Sequence, residues 1–222
     1  MSEKPPTCAS AAMTRTSRKH QAKTPGQAPQ KPGTRARIIE AADRLFYEQG
    51  YEHTSFADIA GAVNLSRGNF YYHFKTKDEI LDAVIAHRLT EREIWLAEWE
   101  RENDDPVARI RRFIDILIMN RDKILRYGCP LGSLSTELTK LDHPLQGEAG
   151  KLFTLFRTWL ARQFALAGQK RGADRLAMHL LALSQGIATL ANTFHDETFI
   201  RREVRALYTW LDDVTGKGNA GA

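Results

Sequence analysis

The chain has 222 residues, 42% apolar and 27% charged, with a net charge of +5, enough for one large domain or two modest ones without a metal or disulfide staple. Cys8 and Cys129 are its only cysteines, which excludes a disulfide-rich scaffold and a cysteine-cluster zinc site. No uncharged apolar stretch approaches the roughly 20 residues that span a bilayer, and no secretory signal is visible. A cytoplasmic protein without membrane segments is expected.

The charge is unevenly placed. Segment 1–33 carries Lys4, Arg15, Arg18, Lys19, Lys23 and Lys31 against Glu3 alone, so it accounts for the whole net charge and leaves the remainder balanced. It also holds five of the eight prolines. Such a composition buries too little apolar surface to offset its ordering entropy, which predicts a disordered basic tail over 1–33. Two roles suit it: a solubilising tail, or an arm that adds phosphate contacts beside a nucleic-acid module.

From Thr34 onward the apolar periodicity is helical, and an all-α fold of about nine helices follows. A helix over 34–49 presents Ile38, Ala42, Leu45 and Phe46 on one face and stops at Gly50. Short helices over 55–63 and 66–74 flank Asn64. Thr76 and Glu79 form a capping box for a long helix to about 102. Pro106 suits the first turn of the next, which runs to about 123. Beyond the irregular Tyr127-Gly128-Cys129-Pro130-Leu131-Gly132 come a short helix over 133–140, a long one from Pro144 to 167, and a final pair; 217–222 reads as a flexible end. The final pair places Leu176, Leu180, Leu183, Ile187 and Leu190, then Ile200, Val204, Leu207 and Leu211, at alternating spacings of four and three. A second, mostly small stripe (Ala177, Leu181, Ser184, Ala188, Ala191) runs beside the first. One hairpin partner does not cover both stripes, so a homodimer seam is expected, with an intramolecular hairpin as the alternative.

The segment from Thr54 to Phe74 has helix-turn-helix form. Thr54 or Ser55 caps its first helix, with Asp58 in the first turn. Asn64 stands where the turn needs a left-handed residue. On the second helix Phe70 and Phe74 point inward, while Arg67, Gly68, Asn69, Tyr71 and Tyr72 lie on the other side. A guanidinium reaches guanine edges or phosphates, an amide pairs with adenine, and a glycine lets the backbone approach.

Over 34–85 the sequence resembles the TetR/AcrR family of bacterial repressors, at Gly50, Thr54-Ser55, Asp58-Ile59-Ala60, Ala62, Leu65-Ser66-Arg67-Gly68, Phe70-Tyr71-Tyr72-His73-Phe74 and Lys77 through Leu81. Asn64 replaces the glycine commonest at its position. The resemblance implies a homodimer with an N-terminal three-helix DNA-binding domain over 34–80 and a larger helical effector-binding and dimerisation domain over 81–216. It implies double-stranded DNA with a palindromic operator as partner, a small-molecule effector, and DNA contacts from Thr54, Ser55, Ser66, Arg67, Gly68, Asn69, Tyr71, Tyr72, His73 and Lys77. His73 has a second reading, as a packed residue at the helix end.

For the effector pocket the aromatic and apolar candidates are Trp95, Trp99, Phe113, Leu117, Cys129, Phe156 and Trp159, with His179, Gln185, Asn192 and Phe194 as further polar or terminal candidates. Cys129 is either a small packed residue at a tight turn or a thiol that senses electrophiles. No phosphate loop, metal-binding helix motif or nucleophile elbow is present, so neither an enzyme nor a metal or other cofactor is expected. The remaining alternative is a helix-turn-helix activator or architectural protein that takes no effector.

Overall fold

A computed structural model describes residues 33–216; the basic segment 1–32, with Cys8, and the end 217–222 lie outside them. The described residues form ten helices and no strand: α1 (Thr34–Gln49), α2 (Phe56–Ala62), α3 (Arg67–His73), α4 (Lys77–Glu102), α5 (Pro106–Met119), α6 (Arg121–Tyr127), α7 (Pro130–Lys140), α8 (Gln146–Leu166), α9 (Ala173–Phe194) and α10 (Glu197–Thr215).

Local chemistry sets most of the boundaries. Ser55 and Asp58 cap α2 reciprocally, Asn64 turns the chain at φ 55°, and Ser66 caps α3. Thr76 Oγ1 accepts from the Glu79 amide at 3.1 Å, but the Glu79 carboxylate accepts from Lys75 N at 2.7 Å, one residue before the expected capping-box partner. The helix expected to run to about 123 is broken at Asn120, whose side-chain amide donates to Ile116 O at 3.0 Å and terminates α5. A separate α6 follows. Cys129 then caps α7, with Pro130 in the first turn, so α7 starts before the expected 133.

Two apolar cores result. In the first, Ile38, Phe46, Ile59, Phe70, Phe74, Ile80 and Leu81 pack together, and Leu134 and Leu138 of α7 with Ala149 of α8 complete it. The second gathers Leu96 and Trp99 of α4 with residues of α5, α8, α9 and α10. Each large apolar side chain so buried contributes about 1.5–3 kcal/mol. The helix α4 belongs to both cores.

The final pair corrects the expected dimer seam. Leu180, Ile187, Ile200, Val204, Leu207 and Leu211 are buried within the single chain, and Leu176 is half-buried. The stripe of α9 that includes Ala177, Leu181 and Ala188 turns the same way into the core, while α10 sets its apolar face against α5. These residues therefore make the intramolecular packing. Of the expected seam, only Leu183 and Leu190 stay exposed, on a face of α9 shared with Phe194.

Candidate nucleic-acid interface and internal cavity

Apolar packing on one side of α3 presents its other side outward. Phe70 and Phe74 are buried, and Phe56 meets Phe70 edge-on at 5.2 Å while stacking on Tyr71 at 5.4 Å. That stack holds Tyr71 at the surface. Ser66, Arg67, Gly68, Asn69 and Tyr71 are exposed, and Tyr72 is 80% exposed. A Cβ on Gly68 would meet nothing within 4 Å, so the helix backbone is open to close approach there. His73 is half-buried, edge-on to Tyr72 at 5.2 Å.

Three other predicted contact residues have partners inside the protein. Thr54 is fully buried, and its hydroxyl donates to Gly50 O at 2.7 Å; it shapes the turn after α1 and is withdrawn from the contact set. Ser55 is exposed but its hydroxyl donates to Asp58 Oδ2 at 2.6 Å, and these bonds hold the Asp58 carboxyl below the usual carboxylate range. Lys77 is half-buried: its ammonium donates to Tyr51 O at 3.0 Å and Glu52 O at 3.3 Å, and lies 4.2 Å from the centre of the Tyr51 ring.

The turn between α1 and α2 is also gripped from the C-terminal half. The Glu137 carboxylate of α7 accepts from Tyr51 N and Glu52 N, both at 2.9 Å. Gly50 makes this possible, because its φ of 90° suits glycine and an added Cβ would meet Glu137 Oε1 at 3.0 Å. The Tyr51 hydroxyl donates to Asp78 at 2.5 Å and lies 3.2 Å from His143 Nε2. Burial, with the bond to Asp78, pushes the phenol pKa up. Sequence reasoning missed Glu137 and His143, which lie about 90 residues away from the turn they hold.

A cavity of about 410 Å³ opens between α1, α4, α5, α6, the start of α7, α8 and α9. It brings together five of the seven predicted pocket residues: Trp95, Phe113, Leu117, Cys129 and Phe156. Trp99 and Trp159 do not line it. They pack on each other at 5.7 Å, and the Trp159 indole donates to Glu100 Oε1 at 2.6 Å, which makes them part of the second core. Among the further candidates, Gln185 reaches this cavity, while His179 lies against Trp210 and Phe194 is exposed.

The cavity also has polar walls that the apolar candidates did not anticipate. Arg88 is only 3% exposed; its Nε donates to Asp43 Oδ1 at 2.5 Å and its Nη1 to Pro130 O at 3.0 Å. Arg92 lies 4.1 Å from the centre of the Trp95 ring, and burial pulls its pKa down. The Tyr47 hydroxyl of α1 donates to Gly128 O at 2.7 Å, and burial pushes that phenol up. The visible signal was an arginine at position 88, where the α4 stripe of Leu81, Val84 and Ile85 calls for an apolar residue. A second, more open cavity of about 690 Å³ lies between α7, α9 and the α1–α2 turn, and includes Asn192. Cys129, Phe153 and Gln185 line both. The Cys129 thiol is free and half-buried, and its Sγ accepts from Gly132 N at 3.5 Å.

Among the described residues no group of three or more His, Cys, Asp or Glu is placed to hold a metal, and no helix is long and apolar enough to cross a membrane.

Residues 38–84 match the family of bacterial regulatory proteins called tetR, and residues 106–205 match the C-terminal domain of LmrA/YxaF-like transcriptional regulators. The chain is 30% identical to the HTH-type transcriptional regulator TtgR of Pseudomonas putida, over 69% of this chain and 78% of that protein. It is 29% identical to an HTH-type transcriptional regulator in the lacX 3′ region of Lactococcus lactis subsp. lactis, over 83% and 96% of the two chains. A TetR transcriptional regulator from Legionella pneumophila superposes with a TM-score of 0.72 at 27% identity, covering 82% of this chain and 98% of that one. With its open helix-turn-helix face and all-helical body, the chain belongs to the TetR family of DNA-binding transcriptional regulators.

Proposed function

We propose that the protein is a homodimeric repressor that binds a palindromic operator through α3 and releases it when a small hydrophobic or thiol-reactive molecule enters the cavity beside α4. In this reading residues 34–80 contact DNA, and residues 81–216 take the effector and dimerise. Ser66, Arg67, Gly68, Asn69, Tyr71 and Tyr72 make the contacts, with Ser55 and His73 at the margin. Lys77 supports the face by holding the Tyr51 turn. The basic segment 1–33 adds phosphate contacts.

The observation that carries this reading is the course of α4. One 26-residue helix starts in the helix-turn-helix core and carries Arg88, Arg92 and Trp95 into the cavity wall. A molecule that favours one setting of α4 thereby favours one position of the DNA-binding face. Shifting occupancy from 99:1 to 1:99 takes about 5.5 kcal/mol of differential affinity. Footprinting on duplexes from the chromosomal region around the coding sequence tests the proposal. A protected site of two half-sites, lost on adding the effector, is the expected result. A footprint that persists with every compound tried would instead favour an effector-independent activator or architectural protein.

The thiol-reactive version rests on Cys129, which lines both cavities at the cap of α7. Cys129→Ser is expected to bind the operator normally but to lose its response to N-ethylmaleimide, while Cys8→Ser responds like the parent. If Cys129→Ser is released by the reagent as the parent is, the thiol is a packing residue.

A further inference from the structure

The cavity beside α4 carries its charges at different depths. Arg88 is the buried cation, 3% exposed, and the same cavity has aromatic walls from Phe113 and Phe156. The carboxylates on the same cavity sit nearer to solvent: Glu40 and Glu48 are exposed on α1, and the Asp43 and Glu91 side chains are 30% and 40% exposed. A cationic ligand reaching the aromatic depth would bring its charge against Arg88. An anionic one would meet it favourably.

Arg88 is also incompletely used. A guanidinium presents its five donors in a fork that suits a carboxylate bidentately. Here Asp43 takes Nε and Pro130 O takes Nη1, so Nη2 has a bond to neither. A buried guanidinium with a single-point carboxylate partner gains from a second, better-placed carboxylate. Arg92 offers a further donor at the same wall, since its contact with Glu91 is long, at 3.4 Å, and burial works against its charge. The ligand class and the release step meet at one residue, because Asp43 belongs to α1, in the helix-turn-helix unit, and Arg88 to α4. Whatever takes Arg88 from Asp43 unties α1 from α4 beside the cavity, where Tyr47 and Gly128 O form the neighbouring tie.

We propose that this cavity takes an aromatic carboxylate whose anionic end competes with Asp43 for Arg88 while its ring lies against the packed Phe113–Phe156 pair, whose rings are 5.4 Å apart. This rests on the reading of the cavity as the effector site and adds to it the charge of the ligand and the bond it displaces. A volume of about 410 Å³ falls within the range of small-molecule sites.

The test uses the full chain and three probes of one shape: 2-naphthoate, 2-naphthamide and 2-naphthylmethylamine. Calorimetry measures their binding, and fluorescence anisotropy measures operator binding in their presence. The naphthoate is expected to bind at least tenfold tighter than the amide, with the amine weakest, and to lower operator affinity. Arg88→Gln is expected to bring naphthoate and amide within twofold of each other. Because removing a buried guanidinium can unsettle the fold, Asp43→Asn supplies the second variant. It removes the competitor, so it is expected to raise naphthoate affinity severalfold, an effect in the opposite direction from loss of fold. Equal binding of naphthoate and amide, tighter binding of the amine, no binding of any probe, or an unchanged naphthoate affinity in Asp43→Asn each overturns the proposal. Tight, carboxylate-selective binding that leaves operator affinity untouched would uphold the ligand class and reject the cavity as an effector site. Operator release by the neutral amide as readily as by the naphthoate would do the reverse.

Discussion

Tyr72 leaves four-fifths of its surface uncovered on a helix whose opposite side is sealed by Phe70 and Phe74. An aromatic residue held out in this way gains nothing from the fold, so its energetic role lies in what it touches from outside. The neighbouring Arg67, Gly68 and Asn69 are exposed as well, and together they can contact both base edges and phosphates. Arg67→Ala or Tyr72→Ala is expected to weaken operator binding by about 1–3 kcal/mol if the side chain makes a base contact. Circular dichroism should remain that of the parent. Operator affinity unchanged in both variants would remove α3 from the reading role. Residues such as these were legible from sequence because helix geometry alone separates Phe70 and Phe74 from their polar neighbours. Thr54 was not, since a threonine next to Ser55 looks equally able to cap, and only the turn itself shows that its hydroxyl is taken by Gly50 O.

At the scale of elements, α7 is the part whose role sequence conveyed least. Its Leu134 and Leu138 complete the first core, and Glu137 between them ties down the amides of Tyr51 and Glu52. Periodicity reports that such a helix has an apolar face, not which partner that face meets. Hydrogen bonds to a charged acceptor contribute about 1.5–3 kcal/mol each, less where exposed. Glu137→Ala is therefore expected to lower the urea midpoint and to weaken operator binding, whereas a surface change such as Thr139→Ala should do neither. The joint between α10 and α5 is marked by a different chemistry. The Tyr208 hydroxyl donates to Asp115, Arg111 pairs with Asp212, and burial with the bond to Asp115 pushes the Tyr208 phenol from 10.0 up to about 12. The folded state thus favours the protonated phenol. Its stabilising contribution is complete below pH 10 and disappears as the pH rises through about 12. Stability of the parent should fall more steeply across that window than that of Tyr208→Phe, as read by urea midpoints. Parallel slopes would show that the phenol titrates alike in folded and unfolded chains.

For the whole molecule, the heptad spacing of the last two helices was legible but its destination was not. Alternating spacings of four and three describe any close helix packing, within a chain or between chains. Here most of those leucines serve the chain's own core, and the face left open on α9 carries Leu183, Leu190 and Phe194, the last two 44% and 72% exposed. The two kinds of position are separable by experiment. Leu183→Glu is expected to yield a folded monomer in sedimentation and, because two recognition helices must reach half-sites about 34–36 Å apart, to lose operator affinity. Leu207→Glu, in contrast, puts a charge where the side chain is 4% exposed, and is expected to lose the fold itself, at several kcal/mol. A dimeric Leu183→Glu would move the association surface elsewhere.

The completion of the first core by α7 and α8 has a consequence for how such regulators can be recombined. A crossover placed after the helix-turn-helix would carry α1 to α3 into a foreign body while leaving Leu134, Glu137, Leu138 and Ala149 behind. The transplanted reader would then meet strange side chains at its floor and an unmatched pair of amides at Tyr51 and Glu52. Functional hybrids of this protein should be built along a spatial boundary instead of a linear one, with those four positions grafted together with the N-terminal segment. The inheritable module is discontinuous in the chain.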